Sequence, residues 1–247
     1  MGDVVKHVAL AAVLRAPAPL YVESHAGDGL YPLGSAGEWG EGMGRLWEAQ
    51  GFTEGGPVER VQALLRRFSP PGAARPAVVP GSPLLARELG AREMVLFEID
   101  PASAAVLRKS AGGKVLEEDG FAGALREARP GALVLIDPPY SAKPEWSQAA
   151  RLASALPQEC AVLLWYPIKA MTRPQAMLGE LADLGAHGTA VEIVATPLRL
   201  RRDRLNGAGV VFLRPPEGAL AALGADLPAL AALLATRGES TARVFGF

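Results

Sequence analysis

Two rhythms divide the 247 residues of this chain. Short, nearly continuous apolar runs alternate with longer stretches in which apolar residues recur every three or four positions. EMVLFEID (93–100), KVLEEDGF (114–121), GALVLIDPPY (131–140) and ECAVLLWYPI (159–168) are the runs, and each predicts a buried strand. PASAAVLRKSAG, AGALREA, PEWSQAARLASAL and RPQAMLGELADLG follow them in turn and predict helices. Upstream, APLYVES (18–24) predicts another short buried strand, and HAGDG after it a glycine turn that opens a helix. SPLLARELG (82–90) predicts a helix with Ser82 as N-cap and Gly90 near its end. Such alternation implies a parallel sheet covered by helices on both faces.

The rhythm breaks twice. From Gly34 to about Arg75, WGEGMGRLWEAQG and VERVQALLRRF look helical, with glycine and proline between them. They predict a small helical insertion, residues 36–78, within a single domain spanning 1–247. Near the end, GTAVEIVATP (188–197) and GAGVVFLRPP (207–216) are strands joined by too few residues for a helical crossover, so they predict an antiparallel hairpin. EGALAALGADLPALAALLATRG is helical, and STARVFGF is a candidate last edge strand. The expected fold is α/β, a Rossmann-like, doubly wound sheet with an antiparallel hairpin near its end.

Composition narrows the class. Apolar residues make up 49% of the chain and mean hydropathy is +0.17, enough for a sizeable core. The apolar runs fall short of the roughly 18 residues that cross a membrane. MGDVVKH lacks the apolar stretch of a signal peptide, and Lys6 breaks the myristoylation pattern. The single cysteine, Cys160, excludes an internal disulfide, and with only 3 histidines no metal site is expected. A reducing cytoplasm and a monomer fit these totals. The net charge of −1 argues against wholesale coating of nucleic acid but leaves room for a local basic patch.

The candidate chemistry sits at the strand ends. In doubly wound sheets ligands bind at the carboxyl ends of the strands. Here those ends carry Glu23, Glu98, Asp119 and Asp137 on otherwise apolar runs. HAGDGLYPLG resembles a dinucleotide loop, but Pro32 stands where the third glycine of GxGxxG belongs, which weakens a nicotinamide reading. A carboxylate at the position of Glu98 can accept both hydroxyls of a ribose. Asp119 and Gly120 can hold an adenine amino group and its neighbouring ring nitrogen. Singly, each acid is equally a helix-terminal or solvated residue. Together they suit a ligand with ribose and adenine but no pyrophosphate, such as S-adenosylmethionine.

DPPY (137–140) then acquires a task. The exocyclic amine of adenine is a poor nucleophile because its lone pair is delocalised into the ring. Asp137 can accept one of its N–H groups and the Pro138 carbonyl the other, turning the lone pair toward a sulfonium methyl. The prolines fix φ near −65°, so that carbonyl is aimed in advance. Tyr140 offers a face for the base, which must leave its helix or loop to reach the pocket. Catalysis would then be chiefly in-line orientation at roughly 3–3.5 Å, with Asp137 taking the proton.

DVVKH (3–7), LYVESHAGDGLYPLG (19–33), VPGSPLLAR (79–87), LFEIDP (96–101), EEDGF (117–121), LIDPPY (135–140), LLWYPI (163–168) and NGAG (206–209) run through almost the whole chain. In that order they resemble the bacterial 23S rRNA adenine-N6 methyltransferases of the RlmJ type. DPPY is shared by many amino methyltransferases; the combination of DVVKH, SHAG, PGSP and LWYP is more specific. The resemblance implies cofactor contacts at Lys6, His7, His25, Gly27, Ser82, Glu98, Asp119 and Gly120, with Asp137 central to catalysis. It implies 23S rRNA, protein-free or precursor, as the partner. The family carries about a dozen residues before DVVKH that reach toward the substrate base, and this sequence begins at Met1 without them.

RLRRDRLNGAG (199–209) lies between the two hairpin strands. Arg199, Arg201, Arg202 and Asn206 there are candidates for holding RNA, or a solvated loop. Arg66 and Arg67 are a weaker second candidate. Two rivals stay open: a DNA adenine-N6 methyltransferase or DNA-handling protein of the same fold, and a cofactor-binding module with impaired catalysis.

Overall fold

The computed structural model describes residues 1–33, 38–200 and 205–247. The chain opens with α1 (Gly2–Val13), of which ten residues are buried. Then come β1 (Leu20–Glu23), β2 (Leu30–Pro32), a 3-10 turn (Glu38–Glu41), α2 (Met43–Glu48), α3 (Pro57–Arg67), β3 (Val78–Pro80) and α4 (Ser82–Glu88). The four expected strand–helix units follow: β4 (Glu93–Phe97) and α5 (Pro101–Ser110), β5 (Lys114–Leu116) and α6 (Gly120–Glu127), β6 (Leu133–Ile136) and α7 (Pro144–Ala155), β7 (Ala161–Ile168) and α8 (Thr172–Asp183). The expected hairpin is β8 (Thr189–Val194) and β9 (Gly207–Leu213), followed by α9 (Ala219–Leu234) and the edge strand β10 (Thr241–Gly246).

Eight strands form one sheet in the order β10-β8-β9-β7-β6-β1-β4-β5. From β5 through β7 neighbours are parallel, whereas β9, β8 and β10 add antiparallel pairs. Alternate residues of one strand enter two different cores, which is why the central runs are apolar throughout. In β6, Leu133 and Leu135 face the layer built by α1, α3, α4, α5 and α9. Val134 and Ile136 face the layer built by α6, α7 and α8. The chain leaves β1 toward β4 on one side and returns at β6 on the other, so the carboxyl ends of β1 and β6 flank the point where the winding reverses, the usual ligand crevice of such sheets.

Two expectations are corrected. HAGDG does not open a helix: it leads into β2, which pairs antiparallel with β3. Left-handed φ values of +61° at Gly27 and +74° at Gly29 turn the chain back on itself. Ser82 is not the N-cap of α4; Gly81 is, and Ser82 is the first helical residue. DVVKH lies inside a helix that no amphipathic pattern announces, because α1 packs against helices and sheet at once. Of the proposed insertion, α2 and α3 pack on α1 and α9 as part of the first core.

Candidate functional site

At the carboxyl end of β6 stands Asp137. Lys6 reaches it from α1, with Nζ 2.6 Å from Oδ2, and pairs also with Asp3 at 3.1 Å. Burial disfavours charge on Lys6, but the carboxylates of Asp137 and Asp3 outweigh it and hold the ammonium well above its usual range. Burial pushes the Asp137 carboxyl up, against the pull of Lys6. Among the described residues nothing donates a hydrogen bond to Asp137 Oδ1.

The next strand end, across the crevice, is Glu23. Its side chain is fully buried and accepts Tyr21 Oη at 2.8 Å and Ser82 Oγ at 2.5 Å. Burial raises its pKa to about 8, so it is largely protonated at neutral pH. Ser82 therefore faces inward onto a carboxyl rather than capping its own helix.

Lys6, His7, His25, Gly27, Ser82 and Asp137 converge on one cleft of about 270 Å³. His7 is 2% exposed, and among the described residues neither ring nitrogen has a partner. Burial lowers its pKa to about 3, so it stays neutral, offering one donor and one acceptor. A buried imidazole on the wall of a cleft can exchange hydrogen bonds with a polar ligand there. His25 Nδ1 lies 2.8 Å from Ser24 Oγ, and its ring meets the edge of Phe121 at 4.8 Å. Burial lowers its pKa as well.

Glu98, Asp119 and Gly120 stand beside the cleft rather than in its lining. Glu98 accepts the Gly27 N–H at 2.9 Å and the Asp100 N–H at 2.8 Å, which ties the glycine turn to the end of β4. Asp119 caps α6, accepting the Ala122 N–H at 3.0 Å. Gly120 follows it so close to the end of β1 that a Cβ there would collide with the Ser24 carbonyl oxygen. A ring of carboxylates and glycine backbone joined to a cleft with a neutral histidine donor fits a nucleoside bearing a polar amino-acid tail.

On the other side of Asp137 the DPPY loop bends sharply. Tyr140 has φ +53°, a conformation that β-carbon-bearing residues rarely adopt and that surrounding contacts must hold. Here its hydroxyl donates to the Trp165 carbonyl at 2.6 Å and its ring lies 4.4 Å from that of Trp146. Burial keeps the phenol protonated well above its usual range, so Tyr140 is no proton acceptor. Beyond it opens a groove of about 980 Å³ between the starts of α7 and α8, lined by Tyr140, Trp146, Trp165, Lys143, Lys169 and Arg173. Trp165 also donates Nε1–H to the Gly2 carbonyl at 3.2 Å, so one ring joins the start of α1, the DPPY loop and the groove.

The expected RNA loop is placed differently. Asn206 is 1% exposed; its amide donates to the carbonyls of Thr196, Pro197 and Leu200 at 3.3–3.4 Å. It shapes the loop from within, a correction to its expected contact with substrate. Arg199 is exposed and paired with Glu239 at 2.6 Å. Arg201 and Arg202 lie outside the described residues. Arg67 pairs with Glu88, and Arg66 reaches the Trp47 carbonyl. Sequence reasoning weighed only acids at the strand ends; the same rule applied to bases would have found Lys143 and Lys169, just past β6 and β7.

A family model described as "Ribosomal RNA large subunit methyltransferase D, RlmJ" matches residues 16–244, beginning after α1. The chain is 28% identical over 243 residues to "Ribosomal RNA large subunit methyltransferase J" of Escherichia coli (strain K12), covering 87% of this chain and 83% of that one. The protein of the same name from Haemophilus influenzae is 26% identical over 241 residues, with the same coverage of 87% and 83%. Among solved structures, protein LPL1258 from Legionella pneumophila superposes with a TM-score of 0.85 at 21% identity, over 99% of this chain and 96% of that one. That last likeness speaks to the fold.

Proposed function

The chain belongs to the RlmJ family of ribosomal RNA large subunit methyltransferases, and from that premise we propose that it methylates the exocyclic N6 amine of an adenine in 23S rRNA, with S-adenosylmethionine as donor. The observation that carries this reading is Asp137. It sits at the carboxyl end of β6, beside the reversal of the sheet, with one oxygen held by Lys6 and the other accepting nothing from the described residues.

The cleft residues divide the cofactor between them. His7, His25 and Ser82 suit its amino-acid end, Glu98 its ribose, and Asp119 with Gly120 its adenine. Bound there, S-adenosylmethionine supplies an electrophilic methyl group. The chain's own residues do the rest. Asp137 Oδ1 accepts one N–H of the flipped adenine amine, and the Pro138 carbonyl accepts the other. Two acceptors draw the amine out of conjugation and fix its lone pair in one direction, so most of the acceleration is orientation. As the N–C bond forms, the donor's S–CH3 bond breaks and its electron pair stays on sulfur as a neutral thioether; the amine becomes cationic, and its proton passes to the Asp137 carboxylate. Lys6 stays protonated, so its part is to keep Asp137 ionised and still rather than to take the proton.

The test is methyl transfer from labelled S-adenosylmethionine to 23S rRNA lacking the modification, to the same rRNA in the large subunit, and to duplex DNA. Nuclease digestion and mass spectrometry identify the product. N6-methyladenosine in free rRNA is expected. Transfer to DNA alone, or cofactor binding without transfer to any substrate, would overturn the reading.

A further inference from the structure

We propose that the groove between the starts of α7 and α8 is the path of the single-stranded RNA next to the target adenine, with Lys143, Lys169 and Arg173 holding its phosphates. The inference rests on the methyl-transfer reading above and names the substrate contacts which that reading leaves open.

Three independent features point to this occupant. The first is charge. Lys143 precedes α7, Lys169 follows β7, and Arg173 is in the first turn of α8, so three cations ring one groove. Among the described residues no carboxylate lies within ion-pair distance of any of them. The acid that lines the groove, Glu180, is already paired with Arg151 at 3.1 Å and accepts Ser147 Oγ at 2.5 Å. The cationic rim is therefore uncompensated within a chain whose net charge is −1. The start of α8, 12 residues long, adds to it: its N-cap, Met171, offers no side-chain acceptor to the first N–H groups, whose partial positive charge favours an anion.

The second is shape. The lining between the cations includes Tyr140, Trp165 and Pro167, flat surfaces of the kind on which bases stack. A volume of about 980 Å³ leaves room for more than one base. The groove begins at Pro139 and Tyr140, two and three residues after Asp137, so a strand lying in it ends beside the proposed reacting centre.

The third is an unsatisfied donor. Trp146 lines the groove and is 8% exposed, yet its Nε1–H finds no acceptor among the described residues. Buried indole N–H groups normally have a partner, and the carbonyls, ring nitrogens and ribose hydroxyls of an RNA strand are acceptors.

The test is the salt dependence of RNA binding. The variant Lys143→Ala, Lys169→Ala, Arg173→Ala removes charge from exposed side chains, so the fold is retained; a thermal melt and cofactor titration check this. Binding to an unmodified 23S rRNA fragment is measured from 50 to 300 mM salt. Three phosphate contacts on a single strand are worth about 0.7 each in the slope of log K against log salt, so the slope falls by about 2. A control lacking three cations at the far end of the sheet, Arg92→Ala, Arg108→Ala, Lys109→Ala, keeps the wild-type slope. An unchanged slope in the groove variant, an equal change in the control, or a change seen with single-stranded DNA but not RNA overturns the proposal. If the groove variant shows the expected slope change but the wild-type protein transfers no methyl group to the RNA it binds, the methyl-transfer reading fails instead.

Discussion

Lys6 Nζ lies 2.6 Å from Asp137 Oδ2, joining the first helix of the chain to the end of a central strand 131 residues later. This contact sets the ionisation of Asp137, the carboxylate that the proposed reaction turns toward the amine. Asp137 is pushed up by burial and pulled down by Lys6. With the ammonium removed, the pull is lost and the push stays. In Lys6→Met, methyl transfer at neutral pH therefore falls by at least about tenfold. The acid limb of its single-turnover pH profile moves to higher pH, and activity recovers in part there. Lys6→Arg restores most of the wild-type profile. A Lys6→Met enzyme with an unmoved acid limb would show that Lys6 only fills space.

Glu98 and Asp137 separate binding from chemistry. Asp137→Ala keeps the cofactor Kd within about tenfold and loses transfer by several orders of magnitude. Glu98→Ala loosens the Gly27 turn and removes the ribose acceptor, so its defect is in cofactor affinity. Isothermal titration and saturating-cofactor rates distinguish them. Equal losses in both variants, entirely through affinity, contradict the role given to Asp137.

His7 is predicted to have opposite effects on stability and on binding. Its two ring nitrogens are buried without partners, which disfavours the cofactor-free fold by about 1–3 kcal/mol. His7→Leu removes those atoms, so the melting temperature without cofactor rises or holds. The same variant binds S-adenosylmethionine at least about tenfold more weakly. Loss of stability together with unchanged affinity would make His7 a core residue only.

Glu23 makes stability depend on pH in a defined direction. Its folded pKa is about 8 against an ordinary 4.5. Below pH 4.5 both folded and unfolded chains hold the proton. Between 4.5 and 8 the unfolded chain releases it first, so stability falls as pH rises through that window, by up to about 1.4 kcal/mol per unit. His7, with its pKa lowered to about 3, acts in the other sense, reducing stability as pH falls below 6.5. Urea unfolding at pH 5 and pH 8 should show a smaller drop for Glu23→Gln than for the wild type. Parallel curves would mean that Glu23 ionises freely inside the fold.

Gly120 tests the close approach of α6 to β1. A Cβ there would collide with the Ser24 carbonyl oxygen, and backbone cannot step aside as a flexible side chain does. Gly120→Ala is expected to cost at least the roughly 1–3 kcal/mol of ordinary overpacking. Because Ser24 precedes His25, cofactor affinity should fall with it. A fully stable, fully binding variant would place this turn elsewhere.

Much of the fold was legible because strands buried on both faces must be apolar at every position, and helices between them only on one stripe. EMVLFEID, LVLIDPPY and LLWYPI announced themselves in this way. Helix α1 did not: nearly every side is covered, so GDVVKHVALAAV carries no stripe to read. The β2–β3 pair was hidden in three-residue strands that owe their form to the glycine turn. Asn206 looked like an exposed polar residue of a loop, and its burial depends on carbonyls that only the folded loop brings together.

By itself the sequence determined the alternation of strands and helices, the acids at the strand ends and the DPPY turn, because each is a local pattern of apolar period, charge or backbone restriction. Tertiary structure alone decided which groups share a carboxylate. Lys6 meets Asp137, Ser82 meets Glu23, and His7 is left without a partner, since burial and distance across the sheet, not neighbours in the chain, set a side chain's charge and its free lone pairs.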